Sequence, residues 1–259
     1  GSMPLIVCGG PCACNPEPLA PFVDAFLIGD GEELIEEFAD AVLKAKQQGW
    51  DKLTLLRSIA QIPGIYVPSF YEPVYDETGR FQRMAVIAPH RITRRVVKDL
   101  EHAPYIGKPI VPYMSIVHDR IALELFRGCT RGCRFCQAGF IYRPIRERNR
   151  ETVMEQAREL IACTGYDEVS LFSLSSGDYS EIHTLVPEIM DEFEKKRVSI
   201  SFPSLRIDAF MKDDLERMQS VRKAGLTFAP EAGTQRLRDV INKGVQEEDL
   251  LRSARDAFE

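Results

Sequence analysis

Hydrophobic residues along this chain follow two alternating rhythms. Short, nearly unbroken apolar runs read as buried strands: "PLIVCGG" near the start, then "AFLIGDGEE", "RIALELF", "EVSLFSL", "VSISFPSLRID" and "LTFAPEAG". Between them, apolar residues recur every three or four positions, the spacing of one helix face. Leu34, Ile35, Phe38, Val42 and Ala45 form one such stripe, closed by Gly49. Val153, Ala157, Leu160 and Ile161 form another, with Thr152 and Glu155 spaced as a capping box. A third runs through Ile182, Leu185, Val186, Ile189, Met190 and Phe193, where Pro187 predicts a kink or a delayed start. Residues 213–225 and 246–258 read as two more helices, the last with Glu247, Glu248 and Asp249 at its positive end.

The order of these elements gives the architecture. Residues 1–49 read β-α-β-α, part of a doubly wound α/β (Rossmann-like) domain. Residues 50–115 read as a connector. It holds a helix over 51–62 capped by Asp51, the breaker "IPGIYVP", and a hairpin "EPVYDETGRFQRMAVIAP" turning at Glu77-Thr78-Gly79. From 116 to 259 four strand–helix units follow, and such repeats make a parallel sheet. Four units are too few to close an eight-unit barrel, so a partial parallel (β/α) barrel is expected. The first residues start on a core strand and the last lie in an amphipathic helix. Both ends are therefore expected to continue in a longer protein.

Composition narrows the class. Of 259 residues, 44% are hydrophobic and 28% charged, and the net charge of −6 argues against a surface coated for nucleic acid. No apolar run approaches the roughly 18 residues of a membrane span, and no basic leader precedes an apolar stretch. The expected location is the cytoplasm. There the seven cysteines (Cys8, Cys12, Cys14, Cys129, Cys133, Cys136 and Cys163) point to metal or redox chemistry before disulfides.

Three of them, in "RGCTRGCRFC", carry the sharpest signal: Cys129, Cys133 and Cys136. A closed zinc site wants four ligands. The nearest upstream histidine, His118, stands across a strand, and no Cys or His follows within reach. Cys133 and Cys136 alone could be a redox pair, which leaves Cys129 unexplained. A [4Fe–4S] cluster fits better: three thiolates leave one iron open, and an open metal position is where an outside molecule coordinates.

These residues resemble the CxxxCxxC signature of the radical S-adenosylmethionine (radical SAM) enzymes, with Phe135 as the aromatic before the last cysteine. The resemblance implies a [4Fe–4S] cluster whose open iron binds S-adenosylmethionine and cleaves it reductively to a 5′-deoxyadenosyl radical. That radical serves hydrogen abstraction or group transfer. A flavodoxin- or ferredoxin-type electron donor is implied as a partner. Further sites follow by position. Ser176, Gly177 and Asp178 in "SSGDY" sit where the family binds the methionine amino group; they would equally make an Asp-containing turn. Ser204 and Arg206 in "SLRID" would meet the cofactor carboxylate. Glu231 in "APEAG" would meet the ribose. The family's adenine-packing strand is expected beyond residue 259.

The N-terminal "GGP" and "GDGEE" resemble the second half of a cobalamin-binding-type domain. The whole chain is similar to an uncharacterised radical SAM family with a degenerate domain of that kind. Cobalamin itself has no support in these residues, since the histidine motif would lie earlier. Cys8, Cys12 and Cys14 read as packing on a glycine turn. The competing function is a non-catalytic module that uses the same thiols for zinc. In it Arg127, Arg131, Arg134, Arg143, Arg146, Arg148 and Arg150 would bind phosphates, such as those of RNA.

Overall fold

The computed structural model describes residues 4–87, 89, 91–114, 116–203, 206 and 228–258. The helix expected at 213–225, Ser204 and the first two residues of "LTFAPEAG" lie outside them. The chain divides into two compact units, Gly1–Lys98 and Asp99–Glu259.

In the first unit, β1 (Val7–Cys8) runs parallel to β2 (Ala25–Leu27), and β3 (Ile65–Tyr66) pairs antiparallel on the other side of β2. The crossover from β1 to β2 is made by two 3-10 turns, Pro11–Cys14 and Glu17–Phe22, in place of an α-helix. Pro11, Pro18 and Pro21 lack the N–H that a longer helix would need. "IPGIYVP" does more than break a helix: it supplies β3. Helix α1 (Glu32–Gln48) buries Leu34 and Ala45 and ends at Gly49, whose N–H bonds Ala45 O. Helix α2 (Lys52–Ile59) is capped by Asp51, whose carboxylate accepts from the Thr54 N–H at 2.8 Å. The hairpin β4 (Tyr71–Tyr75) and β5 (Phe81–Val86) turns on Asp76, which accepts the N–H groups of Thr78 at 2.8 Å and Arg80 at 2.9 Å.

"GDGEE" acts within this unit. The Asp30 carboxylate, 9% exposed, accepts the Val97 N–H at 2.8 Å, while Glu33 and Glu37 pair with Arg95. The motif thus ties down residues 95–97.

In the second unit, β6 (Ile121–Glu124) is followed by a short ribbon of β7 (Phe126–Arg127) and β8 (Arg146–Glu147). Strands β9 (Glu168–Phe172) and β10 (Ser199–Ser201) complete a parallel sheet with β6, in the order β10–β9–β6. Alternation decides its faces. Ile121, Leu123, Val169, Leu171 and Ile200 join the buried core. Glu124, Ser170, Ser199 and Ser201 occupy the alternate positions.

Over this sheet pack α4 (Arg150–Thr164), which follows the short α3 (Ala138–Ile141), and α5 (Ile182–Phe193). All six apolar residues expected on α5 are buried, and Pro187 sits inside one continuous helix. The cap of α4 differs from expectation. Asn149 is its N-cap, and Thr152 lies one turn in, with its hydroxyl on Glu101. Of the expected fourth strand, residues 228–233 have no strand pairing. A helix not foreseen, Gln235–Val240, follows them, capped by Thr234. The helix Glu247–Phe258 begins with its three acidic residues. Among the described residues no helix is long and apolar enough to cross a membrane.

Candidate functional site

The cysteine loop is fixed at its base before any cofactor is considered. Leu125 donates its N–H to Phe172 O on β9 at 3.0 Å and accepts the Arg148 N–H at 2.9 Å. The β7–β8 pairs, Phe126 with Glu147 and Arg127 with Arg146, then close residues 128–145 into a loop at the carboxyl end of β6. Glu124 takes a two-pronged ion pair from Arg127, at 2.7 and 3.0 Å. Gly128 makes the first step of the loop with φ of 102°, close against the returning chain at Pro144.

Cys129, Cys133 and Cys136 are free thiols; Cys133 is buried and the other two are half-buried. Cys136 N–H bonds Cys133 O at 3.1 Å, which sets the turn between them. Among the described residues no three Cys, His, Asp or Glu side chains form a group that could hold a metal ion. The donor set fits a [4Fe–4S] cluster nonetheless. The backbone N–H groups of Thr130, Gly132 and Cys133 have no hydrogen-bond partner among the described residues. Those of Gly132 and Cys133 are consecutive; consecutive unpaired N–H groups make a concavity for an anion, and thiolates bind iron.

Other predicted residues gather around this loop. Arg131, between the first two cysteines, makes a two-pronged pair with Asp178 of "SSGDY", with Nε to Oδ2 at 2.8 Å. Arg206 acts electrostatically on the same carboxylate and donates from Nη2 to Lys243 O at 2.8 Å. Lys243 in turn pairs with Glu231 at 3.1 Å and stands 5.8 Å from the Phe135 ring centre. Ser176 is different: it is fully buried, and its hydroxyl donates to Leu171 O at 3.0 Å and lies 2.9 Å from the Ser173 hydroxyl. It shapes the turn that carries Gly177 and Asp178.

The Asp178 carboxyl titrates below the ordinary carboxylate range. Burial alone would raise it; hydrogen bonding from Arg131 and the charges of Arg131 and Arg206 outweigh that. A carboxyl depressed in the folded state contributes stability above its unfolded pKa of about 4, and that stability is lost as pH falls through the folded value. Asp178→Asn is therefore expected to cost about 1 kcal/mol at pH 7, a figure reduced for the partial exposure of the pair. The difference from wild type should start to shrink as pH falls below about 4 and vanish only once pH is below the depressed folded value. Urea titrations of both proteins across that range check this; an equal gap at every pH would refute it.

The arginines of the loop region have work within the fold. Arg134 donates to Val240 O, Arg143 to Cys129 O and Arg146 to Pro144 O. Arg148, 2% exposed, donates to Leu100 O at 2.6 Å. Arg150 pairs with Glu188 and Glu151. A cleft of about 500 Å³ lies elsewhere, with Ile110, Ile116, Ile121, Gln156 and Leu160 among its lining residues. None of its lining residues belongs to the cysteine loop.

Sequence reasoning missed the segment "VINKG", residues 240–244. Asn242, at φ of 54°, donates from its carboxamide to Gly132 O at 2.9 Å and Arg131 O at 3.4 Å. Ile241 O accepts the Arg134 N–H at 2.9 Å. The only local hint was an Asn shortly before a glycine, a pairing suited to left-handed backbone.

Comparison with known proteins adds the following. The family model described as "Radical SAM superfamily" matches residues 123–259, and "Radical SAM proteins, N-terminal" matches residues 1–68. An uncharacterized protein of Methanocaldococcus jannaschii is 32% identical over 250 residues, covering 95% of this chain and 47% of that protein. A putative methylthiotransferase of the same organism is 26% identical over 173 residues, covering 61% of this chain and 37% of its own length. The chain thus spans about half the length, or less, of these curated relatives.

Among solved structures, the radical S-adenosylmethionine methyltransferase TsrM of Kitasatospora setae, with tryptophan substrate and a SAM analog bound, matches with a TM-score of 0.60 at 17% identity. That match covers 96% of this chain and 47% of TsrM. The cobalamin-dependent S-adenosylmethionine radical enzyme OxsB, with aqua-cobalamin and S-adenosylmethionine bound, gives 0.58 at 16% identity, covering 98% of this chain and 34% of OxsB. At these identities the likeness establishes the fold alone: mixed α/β with a parallel sheet, as in these radical SAM structures.

Proposed function

This chain belongs to the radical SAM superfamily, and from that membership we propose that it is the cluster- and S-adenosylmethionine-binding part of a radical enzyme. Cys129, Cys133 and Cys136 would hold a [4Fe–4S] cluster. The chemistry the cluster supplies when bound is one-electron reductive cleavage of S-adenosylmethionine to methionine and a 5′-deoxyadenosyl radical. A flavodoxin- or ferredoxin-type donor would bring the electron.

The chain's own residues receive and orient the cofactor. Arg206 offers a planar guanidinium for the carboxylate. Gly177 and Asp178 border the place for the amino group, with Asp178 held ionised by Arg131. Glu231, steadied by Lys243, is the candidate for the ribose hydroxyls, and the aromatic face of Phe135 lies beside that pair. Ser204 remains the partner suggested for the carboxylate. Hydrogen abstraction or group transfer follows on the substrate, and the similarity to a putative methylthiotransferase favours transfer of a one-carbon or sulfur-containing group.

The observation that carries this reading is the gathering of three separated sequence motifs, at Asp178, Arg206 and Glu231, around one loop of three free thiols. The competing zinc- and phosphate-binding module loses support because the loop arginines are engaged within the protein. The test is anaerobic purification and reconstitution of the full-length gene product, with iron and sulfide analysis. Dithionite reduction with S-adenosylmethionine follows. About four irons and four sulfides per chain, and 5′-deoxyadenosine on reduction, are expected. Zinc without iron or sulfide would overturn the proposal.

A further inference from the structure

We infer that Asn242 is a positioning residue for the cluster loop: its carboxamide fixes the two peptide planes between the first and second cysteines, so that the N–H groups of Gly132 and Cys133 face away from it and stay available to an acceptor, which the cluster sulfurs would supply. The inference rests on the cluster reading of Cys129, Cys133 and Cys136. It concerns a residue 110 positions downstream of the loop carbonyl it binds, outside every motif used above.

Asn242 Nδ2 donates to Gly132 O at 2.9 Å and to Arg131 O at 3.4 Å. These are the carbonyls of two successive peptides, 131–132 and 132–133. A trans peptide is planar, with its N–H opposed to its C=O. Holding both carbonyls toward Asn242 therefore turns the N–H groups of Gly132 and Cys133 away from it. Those N–H groups have no partner among the described residues, and Cys133 is buried. A buried N–H left unpaired is costly, so the arrangement asks for an acceptor on that side. Thiolate and sulfide sulfurs are such acceptors, and hydrogen bonds to the sulfurs help set a cluster's reduction potential.

The clamp is itself well held. Asn242 adopts φ of 54°, a left-handed conformation that Asn tolerates. Its neighbours are tied on both sides: Ile241 O accepts the Arg134 N–H at 2.9 Å, and Lys243 O accepts from Arg206 at 2.8 Å. The contact is close, since a Cβ placed on Gly132 would lie 3.4 Å from Asn242 Nδ2. Across the loop, Arg131 is gripped by Asp178. The stretch between Cys129 and Cys133 is thus pinned from two directions.

Two variants test the role in reconstituted full-length protein. Asn242→Gly keeps the backbone conformation and deletes the carboxamide. Asn242→Asp keeps the shape and replaces the N–H donors with a carboxylate that repels the two carbonyls. Folding is followed by far-ultraviolet circular dichroism. The readouts are the midpoint potential, the electron paramagnetic resonance spectrum of the reduced cluster, and the rate of iron release to a chelator. Both variants are expected to fold and to be harder to reduce by about tenfold, equivalent to about 59 mV for one electron. Their spectra should change and their iron release quicken; failure of folded variants to assemble a cluster would support the same role. Wild-type protein that binds no iron and sulfide overturns the cluster reading itself. Wild type that holds the cluster, with both variants matching it in potential, spectrum and iron release, overturns the role of Asn242 alone.

Discussion

Changing Cys133 to alanine is expected to remove the iron–sulfur chromophore and 5′-deoxyadenosine formation together, both to background. Cys133 is the middle of the three thiols and the buried one. A cluster left with two thiolates loses one of its protein-bound irons. The fold should survive, because thiol to methyl removes a single heavy atom, worth about 1 kcal/mol of burial. Cys129→Ala and Cys136→Ala should behave alike, since each thiolate would hold one iron. Cys163→Ala is the control: that thiol is exposed and donates to Gly107 O at 3.2 Å, and its loss should leave iron content unchanged. Product formation that persists in Cys133→Ala would refute the ligand assignment. A full complement of iron and sulfide in that variant would do so as well.

What the sequence revealed, and what it hid, follows from the range of the interactions. The parallel strands of the second unit were legible because burial on one face leaves a local signature: Ile121 and Leu123, Val169 and Leu171, each two apart. The stripe of α5 was legible for the same reason, and Pro187 did not break it. The cysteine motif could be read because its three thiols fall within eight residues, the kind of local spacing that iron ligation would require. Its neighbours at Asp178, Arg206 and Glu231 were reachable only through family resemblance. Nothing in "SSGDY" alone states that Asp178 would face Arg131.

Where reading failed, a distant partner or a proline had the decision. Thr152 looked like a cap from its spacing to Glu155, yet Asn149 starts the helix and the Thr152 hydroxyl goes to Glu101, far away in sequence. "IPGIYVP" carries breakers at both ends, which mask the two strand residues Ile65 and Tyr66 between them. The seven loop arginines looked like one charge patch because sequence shows charge without its counter-ions. In the fold Arg148 is buried on backbone carbonyls and Arg150 sits among three glutamates. Asn242 had no local signal of its role, because that role exists only when residues 131–132 meet it.

Replacing Gly128 by alanine should be the most damaging single change in the loop that leaves every thiol in place. Gly128 has φ of 102°, outside the range that L residues adopt without strain. A Cβ there would lie 2.7 Å from Pro144 O, and 3.0 Å from both Ile145 Cα and Tyr142 O. All three are backbone atoms of the returning limb, which cannot swing aside as a side chain can. Conformational strain alone costs about 1–3 kcal/mol, and the overlap adds to it, so a loss above about 2 kcal/mol is expected. Relief would come by parting the β7–β8 ribbon, where Phe126 pairs with Glu147 and Arg127 with Arg146. Cys129, the first of the thiols proposed to hold iron, adjoins Gly128, so the damage passes directly to it. Iron per chain should fall sharply, along with the denaturation midpoint. Gly79→Ala separates this from a general glycine effect. Gly79 also has positive φ, 77°, but open space surrounds its Cβ position in the hairpin turn. That variant should lose about 1 kcal/mol and keep its iron. If Gly128→Ala matches Gly79→Ala in both iron content and midpoint, the close approach at Pro144 does not hold the loop, and the thiols owe their placement to the clamp on its far side.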